Sequence, residues 1–130
     1  MFVLAIEACP GHPVVIAESA RLLNSINHPV RALRVLSQVQ ETGKRHKFVV
    51  EQTINALFNL RRYKKIREWY YADPELFNEL PIALLSIAIC FALAGESNTA
   101  REIVGKLGIK SIQKHHELVL QVESILAKKG

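Results

Sequence analysis

The chain has 130 residues, 49% of them apolar and 22% charged, with six glycines and five prolines, a composition that excludes disorder and collagen and describes one soluble globular domain. A chain of this length buries roughly two-thirds of the surface it exposes when unfolded, so it needs no disulfide or metal to hold a core, and its two cysteines read as reduced thiols of a cytoplasmic protein. The net charge of +5 is concentrated: residues 44–67 carry eight of the seventeen Lys and Arg residues and one acid, Glu51, while the remainder holds nine basic and eleven acidic residues, which argues for a local basic feature and against a general nucleic-acid footprint.

From the N-terminus, Met1 is followed by Phe-Val-Leu-Ala-Ile with no basic stretch and no small-residue cleavage site after a full apolar core, so no secretory signal is expected. Breakers at Pro10-Gly11-His12-Pro13, Asn27-His28-Pro29, Thr42-Gly43, Arg61-Arg62, Asp73-Pro74, Gly95-Glu96-Ser97-Asn98 and Gly108 cut the chain into segments of roughly 10 to 16 residues. Within most segments apolar residues recur at i, i+3, i+4 and i+7, and strand alternation and hairpin dipeptides are lacking. The pattern predicts an all-α chain of about seven helices, paired antiparallel through short connections. Pro81 to Ala94 is apolar except for Ser86; this run is shorter than the roughly 20 residues of a membrane span, and reads as a buried helix.

The segments obey a period of 34. In residues 81–114, Leu84, Ala88 and Phe91 share one helix face, Gly95 makes a turn, and Ala100, Val104 and Leu107 share a face of the second helix. One period earlier stand Val50, Ile54, Leu57, Ile66 and Tyr70, and two periods earlier Ile16, Ala20, Leu23, Ala32, Leu36 and Val39. Leu118, Val122 and Ile125 continue the frame downstream, and Phe2, Ala5 and Pro10 continue it upstream. The single domain 1–130 thus divides into a half-repeat 1–12, repeats 13–46, 47–80 and 81–114, and a half-repeat 115–130.

This pattern resembles the tetratricopeptide repeat, a 34-residue helix pair with small residues at the eighth and twentieth places, a large apolar one at the eleventh and often proline at the thirty-second. The best matching residues are Ala88, Phe91, Gly95 and Ala100, then Ala20, Leu23 and Ala32, and Arg62-Tyr63 with Tyr70. The array is degenerate: Trp-x-x-Leu-Gly is missing, Ile54 and Ile66 replace small residues, Asp73 stands at a normally small place, and only Pro10 fills the proline position. The resemblance implies a right-handed α-solenoid of antiparallel helix pairs whose first helices line a groove. Its second, fifth, ninth, twelfth and thirteenth places fall on Val14, Ala17, Arg21, Asn24 and Ser25, on Phe48, Glu51, Asn55, Phe58 and Asn59, on Ile82, Leu85, Ile89, Ala92 and Leu93, and on His116, Val119, Glu123, Leu126 and Ala127. The expected groove is polar and Asn-rich at one end and apolar at the other. The apolar cluster of Ile82, Leu85, Ile89 and Leu93 calls for a cover, which a partner segment, the C-terminal helix 111–128 or a second copy of the chain would supply.

Catalytic and metal signatures are lacking. No His-Glu-x-x-His, Cys-x-x-Cys, phosphate loop or Gly-x-Ser-x-Gly occurs, and the adjacent His115 and His116 point about 100° apart on a helix, which suits a surface pair better than a chelate. Cys90 reads as a buried small hydrophobe and Cys9 as inert. The basic residues Lys44, Arg45 and Lys47 precede the first helix of the second repeat and Arg61, Arg62, Lys64, Lys65 and Arg67 follow it; they are read as solvated helix ends, as contacts for an acidic protein, or as contacts for nucleic acid. The function expected is that of a noncatalytic, cofactor-free scaffold or adaptor holding an amphipathic helix or extended apolar peptide of a partner protein. Two alternatives stand beside it: a small chaperone like those of bacterial type III secretion, and an RNA-binding helical-repeat module.

Overall fold

A computed structural model describes residues 12–39 and 43–129; Cys9 and nearly all of the expected half-repeat 1–12 lie outside the described residues. Those residues are all helical, without strands, in eight α-helices and one short 3-10 helix: α1 Pro13–Ser25, α2 Pro29–Leu36, α3 Lys47–Asn59, α4 Tyr63–Ala72, the 3-10 turn Pro74–Phe77, α5 Pro81–Leu93, α6 Ser97–Gly105, α7 Ile109–Lys114 and α8 His116–Lys129. The count exceeds seven because the expected C-terminal helix 111–128 is interrupted at His115, whose φ of −111° and ψ of 37° leave the helical region, and because Pro74 opens a separate turn. Prolines 13, 29 and 81 each occupy the start of a helix, where the missing N–H costs nothing and the fixed φ suits the first turn.

The helix bounds recur. Helices α1, α3 and α5 begin at residues 13, 47 and 81 and end at 25, 59 and 93, and the helices that follow them begin at 29, 63 and 97. Each of the three intervening turns contains one residue of positive φ, Asn27 at 64°, Arg61 at 59° and Gly95 at 83°. The next amide closes back on the helix each time, His28 N–H to Leu23 O at 2.8 Å, Arg62 N–H to Leu57 O at 2.9 Å and Glu96 N–H to Phe91 O at 2.9 Å. This is the Schellman ending, which satisfies carbonyls that the helix leaves unpaired and favours glycine or asparagine at the left-handed position. Three unlike sequences therefore end their helices by the same device, 34 residues apart.

The chain divides into two compact units, residues 1–62 and 63–130, a boundary that falls inside the expected repeat 47–80. In the first unit α1 packs on α2 and α3, and α2 also packs on α3. Its core joins Ile16, Ala17, Ala20 and Leu23 of α1 to Ala32 and Leu36 of α2, Val39, and Val49 and Ala56 of α3. Ala20 and Ala32, both fully buried, allow close approach of α1 and α2.

In the second unit α5 is the centre, with α4, the 3-10 turn, α6 and α8 packed against it. Every residue from Ala83 to Ala92 is buried, as expected of a helix apolar on all sides. Phe91 meets Tyr70 and Tyr71 edge-on at centroid distances of 5.8 and 5.2 Å, and Phe77 meets Trp69 at 5.1 Å, arrangements that bring positive ring edges to negative faces. Phe77, fully buried, belongs to this cluster although it stood outside the core read from the period. On α6 the buried residues are Ala100 and Ile103, whereas Val104, and Leu107 beyond the helix end, are half-buried, a one-residue departure from the expected face. The Lys106 ammonium donates to the Tyr70 hydroxyl at 2.6 Å, which gives the nearly buried phenol its partner.

Candidate functional site

The expected groove residues separate into two groups. On α5, Leu85 and Ile89 are 0% and 4% exposed, while Ile82 and Leu93 are both 38% exposed. The exposed apolar cluster of four is corrected to two core residues and two rim residues, because a helix that is apolar all round is enclosed on every face and α8 packs along it. Val122 and Leu126 of α8 are buried as well. Among the alternatives for the cover, the C-terminal helix packs on α5 within the unit.

The first unit keeps an open site. A cleft of about 200 Å³ between α1 and α3 is lined by Val14, Ala17, Glu18 and Arg21 on one side and by Phe48, Glu51 and Gln52 on the other. Five of these seven stand at the groove places. Val14 and Phe48 keep 42% and 43% of their surface exposed, so two apolar side chains flank a floor made by the buried Ala17. The Arg21 guanidinium spans the Glu18 carboxylate, its Nε 3.1 Å from both oxygens and its Nη2 also paired with Oε1. Hydrogen bonding from Arg21 holds the Glu18 carboxyl below the usual carboxylate range, and the pair is an exposed i, i+3 contact that fixes side-chain direction more than stability.

Beside the cleft's lining residue Gln52, Asn24 and Asn55 meet at one amide. Asn24 Nδ2 donates to Gln52 Oε1 at 3.1 Å and to the Gln52 carbonyl at 3.3 Å, and Asn55 Nδ2 reaches the same Oε1 at 3.5 Å. Gln52 is 5% exposed, a buried amide satisfied from two helices, and Asn24 Oδ1 is buried without a hydrogen-bond partner. Phe58 is half-buried and Asn59 is exposed on the last turn of α3. The groove positions thus bring Arg21, Asn24 and Asn55 to one face; Glu18 and Gln52 were not singled out from sequence. Gln52 carried a signal, because it stands three and four residues from Val49 and Ala56, which are buried on α3.

The remaining chemistry is sparse. Cys90 is buried, and desolvation pushes its thiol up to about 12, opposed by the charge of Arg67. No group of three His, Cys, Asp or Glu side chains among the described residues is placed to hold a metal ion, and no described helix is long and apolar enough to cross a membrane. In comparisons with known families, characterised proteins and solved structures, no family model, no curated protein and no solved structure matches the chain.

Proposed function

We propose that the chain is a noncatalytic protein-interaction scaffold of tetratricopeptide-like helix pairs, stacked as an α-solenoid, and that the cleft between α1 and α3 holds an apolar or amphipathic segment of a partner protein. The observation that carries the reading is the recurrence of helix bounds and left-handed turns at 34 residues, which gives α1 and α3 equivalent places and sets their second and fifth residues, Val14 with Ala17 and Phe48 with Glu51, around one cleft. The cleft is smaller than the roughly 300–1,000 Å³ of small-molecule sites and suits a single anchoring side chain of a peptide.

Photo-crosslinking tests this. With p-benzoylphenylalanine in place of Phe48, irradiation in cells is expected to give a discrete protein adduct, while the same residue in place of the exposed Arg34 on α2 gives none. Adducts to nucleic acid, or equal labelling from both positions, would overturn the reading.

A further inference from the structure

The charge of the first unit specifies the partner further, on the assumption that the cleft is a protein-binding site. Residues 1–62 hold eight basic and four acidic side chains, while residues 63–130 hold nine and eight; the first unit carries most of the net positive charge. Within the cleft, Glu18 is neutralised by Arg21. The Lys47 ammonium lies 5.3 Å from the centroid of the Phe48 ring that lines the cleft, on the first turn of α3, which holds no acidic residue and follows Lys44 and Arg45. A cation beside an exposed aromatic, at the positive end of a helix dipole, favours an anionic group directly next to an apolar one. One turn further along the same helix stands Glu51, which lines the cleft, enters no ion pair among the described residues and repels acids there.

We propose that the cleft takes an acidic amphipathic segment of a partner protein, with an aliphatic or aromatic residue seated between Val14 and Phe48 and an Asp or Glu beside it meeting Lys47. The geometry sets polarity as well as composition: the acid lies toward the Lys47 end, and a neutral or basic residue lies toward Glu51. Opposite charges at such a rim steer encounter and fix register more than they add affinity.

Selection from a displayed library of random 12-residue peptides on the full 130-residue chain, with Lys47→Glu and Phe48→Glu in parallel, tests the proposal. Both positions are exposed, and circular dichroism checks that each variant folds. The wild-type pool is expected to enrich apolar residues with adjacent Asp or Glu. Lys47→Glu keeps the apolar preference, loses the acidic one and weakens a wild-type consensus peptide about tenfold, and Phe48→Glu selects nothing. An apolar pool without acids, or an acidic preference unchanged in Lys47→Glu, would overturn the proposal while leaving the scaffold reading in place. Failure of the wild-type chain to enrich any sequence over Phe48→Glu would overturn both. Self-association in sedimentation that is lost with Phe48→Glu would assign the cleft to a second copy and also overturn the proposal, as would displacement of the consensus peptide by a single-stranded RNA 15-mer.

Discussion

Burial keeps Cys90 a neutral thiol. Its value is pushed up to about 12 from an ordinary 9.0, because a thiolate in the apolar centre of α5 would lose its hydration. The folded chain therefore retains a proton that the unfolded chain gives up as pH passes 9, so stability is full below that point and falls toward pH 12, with a slope of at most about 1.4 kcal/mol per pH unit. Alkylation read peptide by peptide is expected to leave Cys90 unmodified at neutral pH and to label it fully in denaturant. Labelling of Cys90 in the native chain at the denatured rate would show that α5 opens. Asn24 is the contrasting case, half-buried and exposed to competing demands: its Nδ2 donates twice to Gln52 while its Oδ1 finds no partner. An unpaired buried acceptor costs about 1–3 kcal/mol.

Turns are the elements in which sequence and conformation agree most closely. The breakers at Asn27, Arg61 and Gly95 mark the three positive-φ positions, and they differ in how well they tolerate them. Glycine accepts φ of 83° freely, whereas a long side chain at 59° opposes its own backbone by about 1–2 kcal/mol. Arg61→Gly is expected to raise stability by about 0.5–1 kcal/mol after the entropy gained by the unfolded chain is deducted, and Gly95→Ala to lower it by about 1–2 kcal/mol, both read as shifts in the urea midpoint. Equal effects of one sign would mean that the turns are not equivalent. The helices were legible wherever one face is apolar, as on α1, where Ile16, Ala20 and Leu23 are the buried residues the period selects. On α5 the helix and its burial are legible in the apolar run, but a helix without a polar face gives no sign of which side is covered, so the repeat frame places Leu85 and Ile89 in a groove although both are core. The spacing of Gln52 from Val49 and Ala56 points to its burial, but not to its amide as the shared acceptor of Asn24 and Asn55.

At the scale of the whole molecule, the question is whether positions 34 residues apart, like the helix bounds that recur at that interval, are packed alike. Ala20, Ile54 and Ala88 form one such series and Ala32, Ile66 and Ala100 another, and all six are essentially fully buried. A small residue at such a place lets two helix axes approach, and an isoleucine there demands space or a different neighbour. Because Ile54 and Ile66 are as completely enclosed as the four alanines, each site is adapted to its own side chain. Opposite substitutions should therefore both destabilise. Ala20→Leu and Ala88→Leu are expected to cost about 1–3 kcal/mol by overpacking, and Ile54→Ala and Ile66→Ala about 2–5 kcal/mol by opening cavities, measured by chemical denaturation. A neutral Ile54→Ala would mean that the helices around it close up on the smaller side chain. A full loss would mean that the helices around Ile54 stay in place and leave the cavity open.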